Sequence, residues 1–131
     1  MDISIEGGCF CGKIRYRISL ETLSTAICHC VSCRRAVGAE SVSWATVRTS
    51  GFEFLRTKPR SYNSSKGVTR TFCPRCGTSL TYQNTSESID ITLASLDDPE
   101  RLSPTEEIWS ESRISWNALH GSIPVHMKTS Q

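Results

Sequence analysis

Seven cysteines fall into three tight groups: Cys9-Phe10-Cys11, Cys28-His29-Cys30-Val31-Ser32-Cys33 and Cys73-Pro74-Arg75-Cys76-Gly77. Cysteines one or two residues apart can grip one metal ion but make poor disulfide partners for each other, and an odd count would strand a thiol in a fully paired framework. Divided by group, the count allows four plus three. Four thiolates close a tetrahedral zinc site, whereas three leave a position for water or substrate, which is the usual difference between a structural and a catalytic zinc. Spacing alone does not fix which groups share an ion.

Each group has its own local logic. Gly7-Gly8 and Gly12 flank the first, and such glycines let the backbone turn sharply enough to bring both sulfurs inward. Cys73-Pro74-Arg75-Cys76-Gly77 has the form of a zinc knuckle, with a glycine able to take positive φ and free backbone N–H groups to the sulfurs. In the middle group Cys30 and Cys33 lie one helical turn apart at the start of a short helix, where the helix dipole favours thiolate. His29, between two cysteines that face one ion, is expected to point away from it, as a supporting or surface residue. Arg34 and Arg35 follow directly, placed to offset a thiolate-rich site or to grip an anionic substrate, or simply solvated.

The elements that must position these groups read mainly as strands. Ile14, Tyr16 and Ile18 alternate with Lys13, Arg15 and Arg17, the period-two pattern of a half-buried strand. Val42 to Val47, Phe52 to Leu55 and Ile89 to Leu93 give similar signals, with breaks at Gly51, Pro59, Asn63 to Gly67 and Asp97-Asp98-Pro99. One short helix is expected from near Cys30 through Val37, ended by Gly38. The tail from Ser122 onward, after Trp116 and Leu119, reads as poorly anchored.

With 37% hydrophobic and 21% charged residues, the chain fits a single domain over residues 1–131 with a modest core that gains from a metal staple. Neither a signal peptide at Met1 to Glu6 nor a membrane-spanning run is expected. A reducing cytoplasmic setting follows, in which clustered cysteines favour metal over disulfides. A net charge of +2 and basic residues scattered among serines (Lys58, Arg60, Lys66, Arg70, Arg75) argue against nucleic acid as a partner.

Gly7-Gly8-Cys9-Phe10-Cys11-Gly12, Cys28-His29-Cys30-Val31-Ser32-Cys33-Arg34-Arg35 and Phe72-Cys73-Pro74-Arg75-Cys76-Gly77-Thr78, with Ser95 to Pro99 and Ile108 to Arg113 plus Trp116, resemble the glutathione-dependent formaldehyde-activating enzyme family, which includes a centromere-associated vertebrate relative. Glu107 stands where a histidine is expected in many relatives. The resemblance implies a mainly β, Mss4-like fold. It also implies a structural zinc on Cys9, Cys11, Cys73 and Cys76, and a second zinc on Cys28, Cys30 and Cys33 where chemistry occurs. The implied reaction is condensation of a small thiol, glutathione, with an aldehyde, formaldehyde.

A soft, open zinc–thiolate centre suits binding and activating a thiol better than activating water. Ser64, Ser65, Arg70 and Ser112, in loop-like polar stretches that resemble family motifs, are candidate donors to the substrate oxygen, and Arg34 joins them as a candidate substrate-binding residue. The alternatives are a non-catalytic zinc module binding protein or nucleic acid, and a redox sensor that loses zinc when its open site is oxidised.

Overall fold

The computed structural model describes residues 3–118 and 126–128; the expectation for the tail from Ser122 lies largely outside them. β1 (Ser4–Gly8) and β2 (Arg15–Ser19) pair antiparallel, and a later strand, Phe52–Phe54, joins the free edge of β2 to complete a three-stranded sheet. The alternation read in β2 is realised: Ile14, Tyr16 and Ile18 have no solvent exposure, while Arg17 is exposed. Phe52 packs 5.9 Å from the Tyr16 ring and 4.8 Å, edge-on, from Phe54.

A seven-stranded sheet carries the rest of the architecture. β3 (Ser24–Cys28) leads into the one α-helix among the described residues, α1 (Val31–Val37), and returns as β4 (Val42–Arg48). Counting Phe52–Phe54 as β5, the remaining strands are β6 (Arg60–Ser65), β7 (Val68–Phe72), β8 (Ser79–Gln83), β9 (Ser88–Thr92) and β10 (Glu106–Ile108). They run across the sheet in the order β10-β3-β4-β9-β8-β7-β6. All neighbours are antiparallel except β10, which lies parallel to β3 with Ile108 opposite Cys28.

β4 is buried on both faces, and its alternation divides the interior. Ala45 and Val47 join Ile14, Tyr16, Ile18, Leu80, Ile89 and Ile91 in the main core between the sheets, which also takes up Cys9 and Cys73. Val42 and Trp44 instead pack with Cys28 and Cys33 in a smaller second core. Each thiol group therefore sits at the margin of its own apolar cluster. This is the mainly β, Mss4-like architecture, with α1 directly after the central cysteines.

Two expectations are corrected. Gly7 and Gly8 do not form a turn; they lie in β1, where a Cβ on Gly7 would stand 2.4 Å from Tyr16 Oη and 2.6 Å from the Ser95 carbonyl oxygen. Their role is close approach, and the turn belongs to Gly12, at φ 81°. The break read at Asn63 to Gly67 is confined to a turn at Lys66-Gly67, with Gly67 at φ 75°. β6 runs through a bulge between Asn63 and Ser65 before the hairpin turns, because pairing with β7 overrides the local preference of Asn and Ser for turns.

Candidate metal centres and cleft

The β1–β2 turn carries Cys9 and Cys11, and the turn between β7 and β8 carries Cys73 and Cys76, so the two hairpin ends meet. The four sulfurs lie within 4.8 Å of one another, with Cys9–Cys11 at 3.6 Å and Cys11–Cys73 at 3.7 Å. Sulfurs tetrahedral about one ion at about 2.3 Å would stand roughly 3.8 Å apart. A disulfide needs sulfurs about 2.05 Å apart, and all seven thiols are free. Backbone amides complete the cradle: Ile14 N–H donates to Cys9 Sγ at 3.2 Å, and the N–H groups of Arg75 and Cys76 donate to Cys73 Sγ at 3.3 and 3.4 Å. Gly77, at φ 84°, makes the turn that aims them. The hydroxyl of Thr78, 3.3 Å from Cys76 Sγ, and its N–H draw the Cys76 thiol down to about 5.

The second group is built by β3 and α1. Cys28 ends β3, Cys30 caps the helix, and Cys33 lies in its first turn. Their sulfurs again lie within 4.8 Å of one another. Cys33 N–H donates to Cys30 Sγ at 3.3 Å. Burial pushes the Cys28 thiol up to about 12. Burial also opposes ionisation of Cys30, but the Cys33 amide and the neighbouring thiols outweigh it and lower its pKa. A crowd of thiols in which only some ionise readily is what a divalent cation relieves. Each cluster could hold a metal ion.

The clusters differ in their surroundings. Cys28, Cys30 and Cys33 open onto a cleft of about 930 Å³ whose wall includes Ser64, Ser65, Arg70 and Ser112. Arg35 lines it, and Arg34 does not. Ser64 and Ser65 sit on the edge strand β6, and Ser112 ends a short 3-10 turn that starts at Ser110. Arg70 is not in a loop as expected but in β7, only 5% exposed. Its Nε donates to Ser64 Oγ at 3.0 Å, its Nη2 lies 3.7 Å from Cys33 Sγ, and its guanidinium packs 4.8 Å from the Tyr82 ring centre. The signal for this was present: Arg70 is in phase with Val68 and Phe72, so it faces the side those apolar residues face.

His29 is a supporting residue and not a surface one. It is 2% exposed, lies outside the cysteine cluster, and its Nε2 donates to Glu107 Oε1 at 2.8 Å. Glu107 also receives Arg113 at 3.3 Å. The carboxyl of Glu107 is held below its usual range by the His29 bond first and the Arg113 charge second. The departure at position 107 thus has a structural counterpart, an acceptor for a buried imidazole. Sequence reasoning also passed over Trp44, Tyr62, Tyr82, Asp90 and the cleft-lining role of Trp109.

A folded β architecture with two thiol groups, one enclosed by hairpin turns and one open to a cleft, defines a small β protein built around candidate metal centres. The chain belongs to the glutathione-dependent formaldehyde-activating enzyme family, whose model matches residues 4–112. A crystal structure of a Rhodobacter sphaeroides protein shares the fold at 24% identity and a TM-score of 0.63, covering 79% of this chain and 99% of that one. No curated protein matches the chain. No helix among the described residues is long and apolar enough to cross a membrane.

Proposed function

We propose that this protein is a zinc-dependent enzyme of the carbon–sulfur lyase type, which joins a small thiol such as glutathione to an aldehyde. The observation that carries this reading is the asymmetry of the two clusters: four sulfurs close on one another, while three line a cleft. Cys9, Cys11, Cys73 and Cys76 would hold a structural zinc, and Cys28, Cys30 and Cys33 a second one beside the substrates. The sulfur separations and the amides aimed at sulfur suit zinc. When bound there, zinc supplies a soft Lewis acid that makes a thiol more acidic near neutral pH.

The chain's own residues supply the rest. Arg70 places positive charge beside Cys33 and tempers the negative charge of three thiolates. Arg35, exposed on α1 at the cleft, suits a carboxylate of the thiol partner. Ser112 and Ser65 offer hydroxyl donors toward the carbonyl oxygen from the cleft wall. In the reaction the thiol adds across the carbonyl: a carbon–sulfur bond forms, and the thiol proton ends on oxygen. Free thiols throughout favour a reducing compartment such as the cytoplasm.

The test is titration of glutathione into zinc-loaded protein, with X-ray absorption at zinc and an adduct assay after formaldehyde is added. A gain in sulfur count at one of two zincs, with adduct forming faster than in buffer, is the expected result. No change in sulfur count and no acceleration would remove the enzyme reading and leave a zinc-binding module.

A further inference from the structure

Nine large apolar side chains are exposed among the described residues, and four of them, Val31, Tyr62, Ile108 and Trp109, line the one cleft beside Cys28, Cys30 and Cys33. Such convergence marks a binding surface, where scattered exposed residues would not. The floor is aromatic as well: Trp44 and Tyr82 lie 6.1 Å apart, with the Arg70 guanidinium over Tyr82. The cleft, at about 930 Å³, falls at the upper end of ordinary ligand sites. A one-carbon aldehyde is little larger than a water molecule, whose share of liquid volume is about 30 Å³. A polar tripeptide thiol accounts for part of the space but has no use for a lip of rings.

Trp109 is singled out twice. It is the one non-glycine residue with positive φ among the described residues, at φ 58° and ψ 37°. The residue is also 58% exposed, so burial offsets that strained backbone only in part. The backbone is held from either side. Before it, Ile108 pairs with Cys28 and its carbonyl accepts from His29 N–H at 3.0 Å; after it, Ser112 N–H donates to the Trp109 carbonyl at 3.0 Å. An indole is thereby fixed one residue beyond the position opposite Cys28, on the wall of the cleft.

We propose that the carbonyl partner taken by this cleft carries an aromatic or extended apolar body, and that Trp109 is the residue that selects it. This rests on the thiol–carbonyl reading above. The chemistry is unchanged: the thiol S–H adds across C=O, the carbon–sulfur bond forms, the proton ends on oxygen, and nothing is oxidised or reduced. Rings at the lip gain from stacking on an aromatic body and gain nothing from a single carbon.

The experiment compares two stable thioether mimics of the adduct, S-benzylglutathione and S-methylglutathione, by calorimetry on zinc-loaded protein. In parallel, adduct formation from benzaldehyde and from formaldehyde is measured. The benzyl thioether should bind about tenfold or more tightly than the methyl one, Trp109→Ala should shrink that ratio to about twofold, and Trp109→Phe should retain most of it. Equal affinities in the native protein, or a loss in Trp109→Ala shared by both thioethers, overturn the proposal; turnover of formaldehyde in that case leaves the thiol–carbonyl reading intact. No accelerated adduct from either aldehyde overturns both.

Discussion

Arg70 Nη2 lies 3.7 Å from Cys33 Sγ while the same guanidinium donates through Nε to Ser64 and covers the Tyr82 ring. One buried cation thus ties the edge strand β6, the aromatic floor of the cleft and a candidate metal ligand into a single unit. Its planar fork does three things at once, and a lysine ammonium could not reproduce the arrangement.

Removing that charge should weaken the second metal centre while sparing the first. Arg70→Leu keeps most of the buried hydrocarbon but leaves Cys33 without its counter-charge. Metal affinity at the Cys28/Cys30/Cys33 cluster should fall about 10–100-fold, the usual cost of losing a partner of a ligand. Chelator competition followed by metal analysis checks this: one metal per chain should leave faster than in the native protein, and the other at an unchanged rate. Arg70→Lys should behave more like the leucine variant than like the native protein.

The two clusters should also separate by their effect on the fold. Cys9 and Cys73 belong to the main core and join hairpin ends far apart in sequence, so metal binding there is folding free energy. Cys76→Ser should lower stability by several kcal/mol, on the order of a structural metal site, or leave the protein insoluble. Cys30→Ser should remain folded, lose one metal and lose thiol binding. Thermal melts with metal content per chain decide it; equal collapse in both variants would make the second centre structural too.

How much of this was legible in the chain depends on the range of the interaction. Cysteine spacing and the Gly38 helix end are set within a few residues, and α1 ends there at φ 78°. The β2 alternation is local as well. Arg70 facing Cys33 depends on β7 pairing with β8, and Trp109 reaching the cleft depends on β10 pairing parallel with β3, some 80 residues earlier. The phase of Arg70 with Val68 and Phe72 tells which way it faces, but no local propensity encodes either contact. Gly7 misled because a glycine required for close approach to Tyr16 has the same sequence signature as one required for a turn.

Asp90 supplies a pH test. It lies partly buried on the cleft wall, opposite Tyr82 on β8 and Thr46 on β4, and accepts from the Thr46 hydroxyl at 2.8 Å. Burial raises its pKa, and the Thr46 bond only partly counters this. Between the unfolded carboxylate pKa and the higher folded value, the folded state binds more protons, so stability falls as pH rises through that window. Above the window the penalty is complete. Asp90→Asn should therefore melt higher than the native protein at neutral pH, and the difference should close as the pH drops below the ordinary carboxylate range. A constant offset across that range would mean that the effect is steric.

The strained backbone at Trp109 makes the opposite kind of prediction for stability and for binding. A left-handed conformation costs an ordinary residue about 1–2 kcal/mol and costs glycine almost nothing. Trp109 is 58% exposed, so deleting its ring gives up the burial of the part that is covered, equally in any small replacement. Trp109→Gly should therefore be more stable than Trp109→Ala by about 1 kcal/mol, while losing its preference for S-benzylglutathione. Trp109→Ala keeps the strain and loses the ring, so it should lose the same preference without the gain in stability. Melting curves of the two variants, set beside their thioether affinities, test this. If glycine is no more stable than alanine, the left-handed backbone stores no strain, and if the S-benzylglutathione preference survives in both variants, the indole is structural instead of selective.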